Sequence, residues 1–150
     1  MDPEAEGLAR AVEEALPRWV VGSVERILVA WQGQAHPGTV ARAAETGRRA
    51  AAEVAEEVRR LLATDIDEQP TTPLELLRAA VRYPTAVLRQ AGVPPVVRDE
   101  FDERHFPDDV YGLTPMSFAD VDPSLHEPAL RWGAMKAREH LRRHGGEPAA

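Results

Sequence analysis

Two histidines and two aspartates gather in one short stretch of this 150-residue chain: His105, Asp108, Asp109 and His126. Two imidazoles and two carboxylates are enough for a zinc or non-haem iron site, provided that a loop brings them together. Asp108 and Asp109 follow Pro107, where aspartate also serves turns and helix caps. A second pair, His140 and His144, is four residues apart and shares a helix face. Arg142 and Arg143 lie between them and Lys136 is a turn away, so a dication is repelled there. This pair reads as solvated helix-end side chains. A transition metal is therefore a candidate only for the 105–126 stretch, and no other cofactor is expected.

Aromatic side chains mark the same region. Phe106, Tyr111, Met116 and Phe118 sit among Pro107, Gly112, Pro115 and Pro123, which break any regular period. A disordered linker is poor in aromatics, so this segment is expected to be an ordered, proline-rich loop packed on helices. Its simplest role is to close the core. Its functional role would be a binding loop that forms a pocket with Trp132 and Trp19, sized for a small molecule or an acyl chain. The acidic run Asp99, Glu100, Asp102 and Glu103 is tempered by Arg98 and Arg104. It reads as a solvated helix face that can meet the basic C-terminal helix or a basic partner.

A further candidate is a helix seam. Val40, Ala44, Gly47, Ala51, Val54, Val58 and Leu61 recur at alternating intervals of four and three. Its small middle residues admit a close neighbour. That neighbour is either the Trp19–Trp31 helix of the same chain or a partner, including a second copy of this chain. The motifs that announce common enzymes are missing. There is no GxxxxGK[ST] loop, GxGxxG turn, HExxH, GxSxG or EF-hand loop. No cysteine is present, which removes thiolate ligands, disulfides and a cysteine nucleophile.

The elements that must position these groups are helical. Asp2, Pro3 and Glu4 suit a helix start, and Leu8, Val12 and Leu16 continue it. Pro17 lacks an N–H and is expected to break that helix or to start another. Trp19, Val20, Val24, Ile27, Leu28 and Trp31 carry the helical period on, with Gly33 as the stop. Their β-branched content leaves a pair of strands as the alternative. Thr72-Pro73-Leu74-Glu75 is a capping box. Pro84 interrupts the pattern that follows, Thr85–Ala91 forms a short helix ended by Gly92, and Val96–His105 fits another helix. The last helix starts near Asp122-Pro123 or Ser124, and its expected buried stripe is Leu130, Ala134, Ala137 and Leu141, with Trp132 and Met135 alongside.

Composition bounds the rest. The length suits one domain, 1–150, with residues 1–2 and 146–150 frayed. No stretch approaches the ~20 apolar residues of a membrane span, and the acidic start is unlike a signal peptide, so a cytoplasmic location is expected. Acids outnumber bases by five in 1–70 and again in 71–128, while bases lead by three in 129–150, for a net charge of −7. Nucleic acid is accordingly not an expected partner. Seventeen arginines against one lysine, Lys136, suggest a G+C-rich bacterial genome.

The expected fold is an all-α irregular helical bundle with one long amphipathic helix and an ordered proline-rich loop before the C-terminal helix. The leading functional expectation is a non-enzymatic interaction or regulatory protein acting through the seam or the loop. The alternatives are a metal-binding protein or metalloenzyme and a small-molecule or acyl-chain binding domain.

Overall fold

A computed structural model describes residues 3–64, 72–96, 106 and 109–143. All regular structure among them is helical. Helix α1 spans Pro3–Gln32 and helix α2 spans Pro37–Ala63, and together they form an antiparallel hairpin with the largest interface of the bundle. Gly33 adopts a positive φ of 76° and turns the chain out of α1, as a C-terminal glycine does. The Trp19–Trp31 stretch is therefore helix. Trp31 lies in the last turn, at the hairpin tip, and is 38% exposed, so the buried stripe ends at Leu28.

Pro17 does not end α1, contrary to the expectation from its missing donor. An interior proline costs about 3 kcal/mol of helix stability. Packing offsets that cost here. Leu8, Val12 and Leu16 on one side of Pro17, and Val20, Val24 and Leu28 on the other, are all buried in a single core. Opposite Pro17 stands Gly47 of α2. A Cβ placed on Gly47 would lie 2.9 Å from Pro17 Cα and 3.1 Å from its carbonyl oxygen. Only glycine allows the backbones to meet at this spacing.

The seam on α2 is rotated from its predicted line. Gly47, Ala51, Val54 and Val58 are buried, but Val40, Ala44 and Leu61 at the ends are only half-buried. Thr39, Ala43, Ala50, Ala55 and Leu62 are buried instead. A strict seven-residue repeat drifts ~20° per heptad on a straight helix. The prediction is therefore right in the middle and wrong at both ends. This face packs mainly on α1, and Arg59 fastens it by ion pairs to Glu13 at 2.9 Å and Glu6 at 3.5 Å.

Helix α3, Pro73–Ala79, starts at the predicted cap, where Thr72 Oγ1 accepts from Glu75 N at 3.2 Å. Helix α4, Arg82–Gln90, follows after Ala80 and Val81, and Gly92 ends it with φ 79°. Pro84 lies in the first turn of α4, where its missing N–H costs little. A non-helical segment then leads to α5, Phe118–Val121, a 3-10 turn at Pro123–Leu125, and α6, His126–Arg143. Asp122 caps the 3-10 turn through Ser124 N at 2.9 Å and accepts Arg18 Nη2 of α1 at 3.1 Å. The predicted helix at Val96–His105, the run Asp99, Glu100, Asp102 and Glu103, and His144 lie outside the described residues, Val96 itself excepted.

Helix α6 buries the side of Trp132, predicted only as a flank, and turns the predicted stripe itself outward. Trp132 and Lys136 face inward, with Ala129 and Met135 half-buried. Leu130 and Leu141 are 55% and 52% exposed, and Ala134 and Ala137 are exposed with them. Both faces are apolar enough for a helix to bury. The one that carries the tryptophan removes more apolar area from water and prevails. Lys136 lays its stem inward, with Nζ 3.5 Å from Glu139 Oε2. No helix among the described residues is long and apolar enough to cross a membrane.

The Gly47 contact predicts opposite signs for one kind of substitution. Gly47→Ala should destabilise by about 1–3 kcal/mol, because the clash outweighs the ~1 kcal/mol gained in helix propensity. Gly22→Ala, with nothing within 4 Å of its Cβ, should stabilise by up to ~1 kcal/mol. Urea unfolding distinguishes them, and equal gains at both sites would refute the contact. A second prediction concerns Asp122, whose carboxyl is held below its usual range, first by the Ser124 backbone and hydroxyl and then by Arg18. A depressed folded-state pKa stabilises above the unfolded value of about 3.9 and loses that effect as pH falls through the folded value. Asp122→Asn should therefore lower the melting temperature at neutral pH, and the gap should close in acid. A gap independent of pH would show that the charge contributes nothing.

Candidate functional site

Arg78, Arg82, Thr85 and Arg89 recur at intervals of four, three and four. Ala80 and Val81 keep right-handed helical dihedrals between α3 and α4, so the four residues share one face across the junction. The other side of this helix pair buries Leu77, Ala80, Val87 and Leu88 against the core. The arginine face therefore looks outward, toward the segment that follows α4.

That segment is fastened at both ends. Val96 N donates to Val110 O at 2.9 Å, and the buried Tyr111 hydroxyl donates to Val93 O at 2.8 Å. Burial pushes the Tyr111 phenol pKa up, and the nearby Arg89 charge opposes this. Gly112 turns with φ 67°. Asp109 Oδ2 then accepts two hydrogen bonds from Thr114, from N and from Oγ1, each at 2.6 Å. Arg78 Nε donates to Pro115 O at 3.1 Å and ties the loop to α3.

Between the arginine face and this loop lies a cleft of about 550 Å³. Its lining includes Arg78, Arg82, Arg89, Thr85, Phe106 and Asp109. The size falls within the range of small-molecule sites. The three cations differ in what they already hold. Arg82 is turned toward α2: it lies 4.9 Å over the Tyr83 ring, donates to the Tyr83 hydroxyl at 2.9 Å and stands 3.8 Å from Glu53. The Tyr83 hydroxyl in turn donates to Glu53, and burial followed by this bond pushes its pKa up. Among the described residues, Arg78 donates to Pro115 O and forms no ion pair. Arg89 is exposed, and no carboxylate of the described residues forms an ion pair with it.

The sequence-predicted site residues are distributed differently. His105 and Asp108 lie outside the described residues. Asp109 is in the cleft, with one oxygen taken by Thr114, while His126 is exposed at the start of α6. No group of three or more His, Cys, Asp or Glu that could hold a metal occurs among the described residues. Of the predicted binding-loop residues, only Phe106 lines the cleft. Tyr111 and Trp132 are core, Phe118 packs against the core, and Met116 is 60% exposed. This cleft is thus formed with α3 and α4, while a smaller hollow of about 240 Å³ brings Trp19 against Asp120, Val121 and Asp122 without Trp132. Sequence reasoning missed the three arginines. Their spacing was the available signal, and Pro84 hid it by suggesting a break in the helical face.

No family model, curated protein or solved structure matches this chain.

Proposed function

We propose that this chain is a non-enzymatic binding domain that holds a small anionic molecule in the cleft lined by α3, α4, Phe106, Asp109 and Thr114. One observation carries the reading: three arginines line a single cleft in a chain of net charge −7, and two of them, Arg78 and Arg89, form no ion pair with a carboxylate of the described residues. Arginine presents a planar fork of donors that matches carboxylate and phosphate, and it keeps its charge when partly desolvated. Helix α4 and the hydrogen bonds of Asp109 and Tyr111 hold Thr85, Arg89 and Asp109 in place, which limits the ordering left for a ligand to induce. The cleft's described lining contains no histidine, lysine or serine. Its aspartate is already engaged by Thr114, an arrangement suited to holding a turn rather than activating a nucleophile.

The test is a thermal-shift series with inorganic phosphate and small di- and tricarboxylates at constant ionic strength. A bound anion at ~100 times its dissociation constant stabilises by ~2.7 kcal/mol. Arg89→Ala should abolish most of that shift without unfolding the protein, since Arg89 is exposed. No shift with any of these anions would sink the reading.

Self-association is a second reading, moved from α2 to α6. The exposed stripe Leu130, Ala134, Ala137, Leu141 has spacings of four, three and four, so it reads the same in both directions. An antiparallel copy would place leucine near leucine and alanine on alanine, the self-complementarity of a two-fold interface. Leu141→Glu should convert a dimer to monomer in light scattering and leave the melting temperature nearly unchanged. A wild-type protein that stays monomeric at millimolar concentration would overturn this.

A further inference from the structure

Residues 27–41 form the tip of the α1–α2 hairpin, and they hold no Asp, Glu, Lys or Arg. Charged residues make up 29% of the chain, and no other uncharged run reaches these fifteen residues. The tip is also apolar where it meets solvent. Val29 is 50% exposed, Trp31 is 38% exposed, and Ala30 is exposed between them. Trp19 and Trp132 are buried, so Trp31 is the one tryptophan at the surface. The tip closes on itself: Gly33 N donates to Val29 O, Thr39 N donates to His36 O, and His36 pairs with Gln32. Among the described residues, no hydrogen bond or ion pair ties it to α3, α4, α5 or α6.

Cations stand behind this tip on both arms. Arg26 lies six residues before the end of α1 at Gln32, and Arg42 lies five residues after the start of α2 at Pro37. At ~1.5 Å per residue, both are set back by about 7–9 Å. Both are exposed, and neither forms an ion pair with a described carboxylate. From Arg18 to Arg49 the hairpin carries five arginines and two glutamates, a net +3 in a chain of net −7. We propose that the tip is an anchor for the surface of an anionic lipid bilayer, a role separate from the arginine cleft. Trp31 and Val29 enter the boundary between headgroups and acyl chains, to the ~5–10 Å depth of an interfacial element. Tryptophan favours that boundary. At this depth the set-back guanidinium groups of Arg26 and Arg42 come level with the lipid phosphates. An acidic protein surface would be met best by cations at the tip itself, and here they are withdrawn from it. The last carbonyls of α1 and the first N–H groups of α2 lie at the tip, so it settles among headgroups and goes no deeper.

The experiment is flotation of the full chain with phosphatidylcholine vesicles, either pure or containing about 30 mol% phosphatidylglycerol. The chain should bind the mixed vesicles at least about fivefold more tightly than the neutral ones, and added salt should release it. Trp31→Ala should weaken binding by about tenfold or more. Arg26→Gln combined with Arg42→Gln should do the same, at about fivefold for each charge. These positions are exposed, so the melting temperature should stay near that of the wild type. If Trp31→Ala fails to fold, quenching of wild-type tryptophan by lipids brominated on the acyl chains replaces it, since Trp31 alone is exposed. Arg89→Ala reports on the cleft and should not change flotation. No flotation with the mixed vesicles would overturn the inference, as would equal flotation with the neutral ones or full retention by either tip variant. Loss of flotation in Arg89→Ala would overturn it by assigning lipid binding to the cleft. A dimer that Trp31→Ala dissociates, with no flotation, would make the tip a contact between copies instead.

Discussion

The contact of Gly47 with the Pro17 backbone sets how closely α1 and α2 lie, and the other elements are arranged on that pair. Along α2 the buried face is mostly small, with Ala43, Gly47, Ala50 and Ala51, while α1 offers Leu16, Trp19, Val20 and Val24. Large side chains on one helix fill against near-bare backbone on the other. Dispersion contacts fall off steeply with a gap of less than an ångström, so this closeness matters over the whole interface. It also explains how a helix of thirty residues tolerates a proline at its centre. The lost backbone bond is local, and the packing that holds the helix together is distributed.

On this hairpin α4 and α6 occupy separate places, and α4 is the one that matters for binding. Burying Leu77, Val87 and Leu88 leaves a single direction for the arginine face. The cleft follows from that orientation together with the two bonds that pin the next segment, from Val96 and from Tyr111. No single residue is unusual. The site is a consequence of which side of a short helix the core consumed.

Much of the frame could be read from residue types with a local meaning. Thr72 caps, and Gly33 and Gly92 turn out of helices with positive φ, as their chemistry demands. Local rules failed where the decision was tertiary. Pro17 was overruled by packing on both sides of it. The two apolar faces of α6 were equivalent in the sequence, and only the competition between Trp132 and the Leu130–Leu141 stripe for the core separated them. The seam on α2 was traced with a seven-residue repeat, and the buried residues drift away from that repeat toward both ends. The arginine face was concealed by a proline whose effect, in the first turn of α4, is slight. Asp109 was singled out for metal chemistry, whereas its visible partners are the amide and hydroxyl of Thr114.

The paired fastening of Val96 to Val110 and of Tyr111 to Val93 has a further consequence for how such a chain can evolve. These bonds bring Val93 and Val96 against Tyr111 and Val110 and close the frame at one place. Closing a loop costs little more when it is lengthened, about 0.6 kcal/mol for each doubling. A change in chain length between the two fastened points should therefore cost the frame little. Phe106 and Asp109 lie between the fastened points in sequence, and the arginines belong to the frame. Charge preference is thus inherited with the scaffold, while the shape and polarity of what is accepted can drift independently, an arrangement that lets one fold serve successive ligands without being rebuilt.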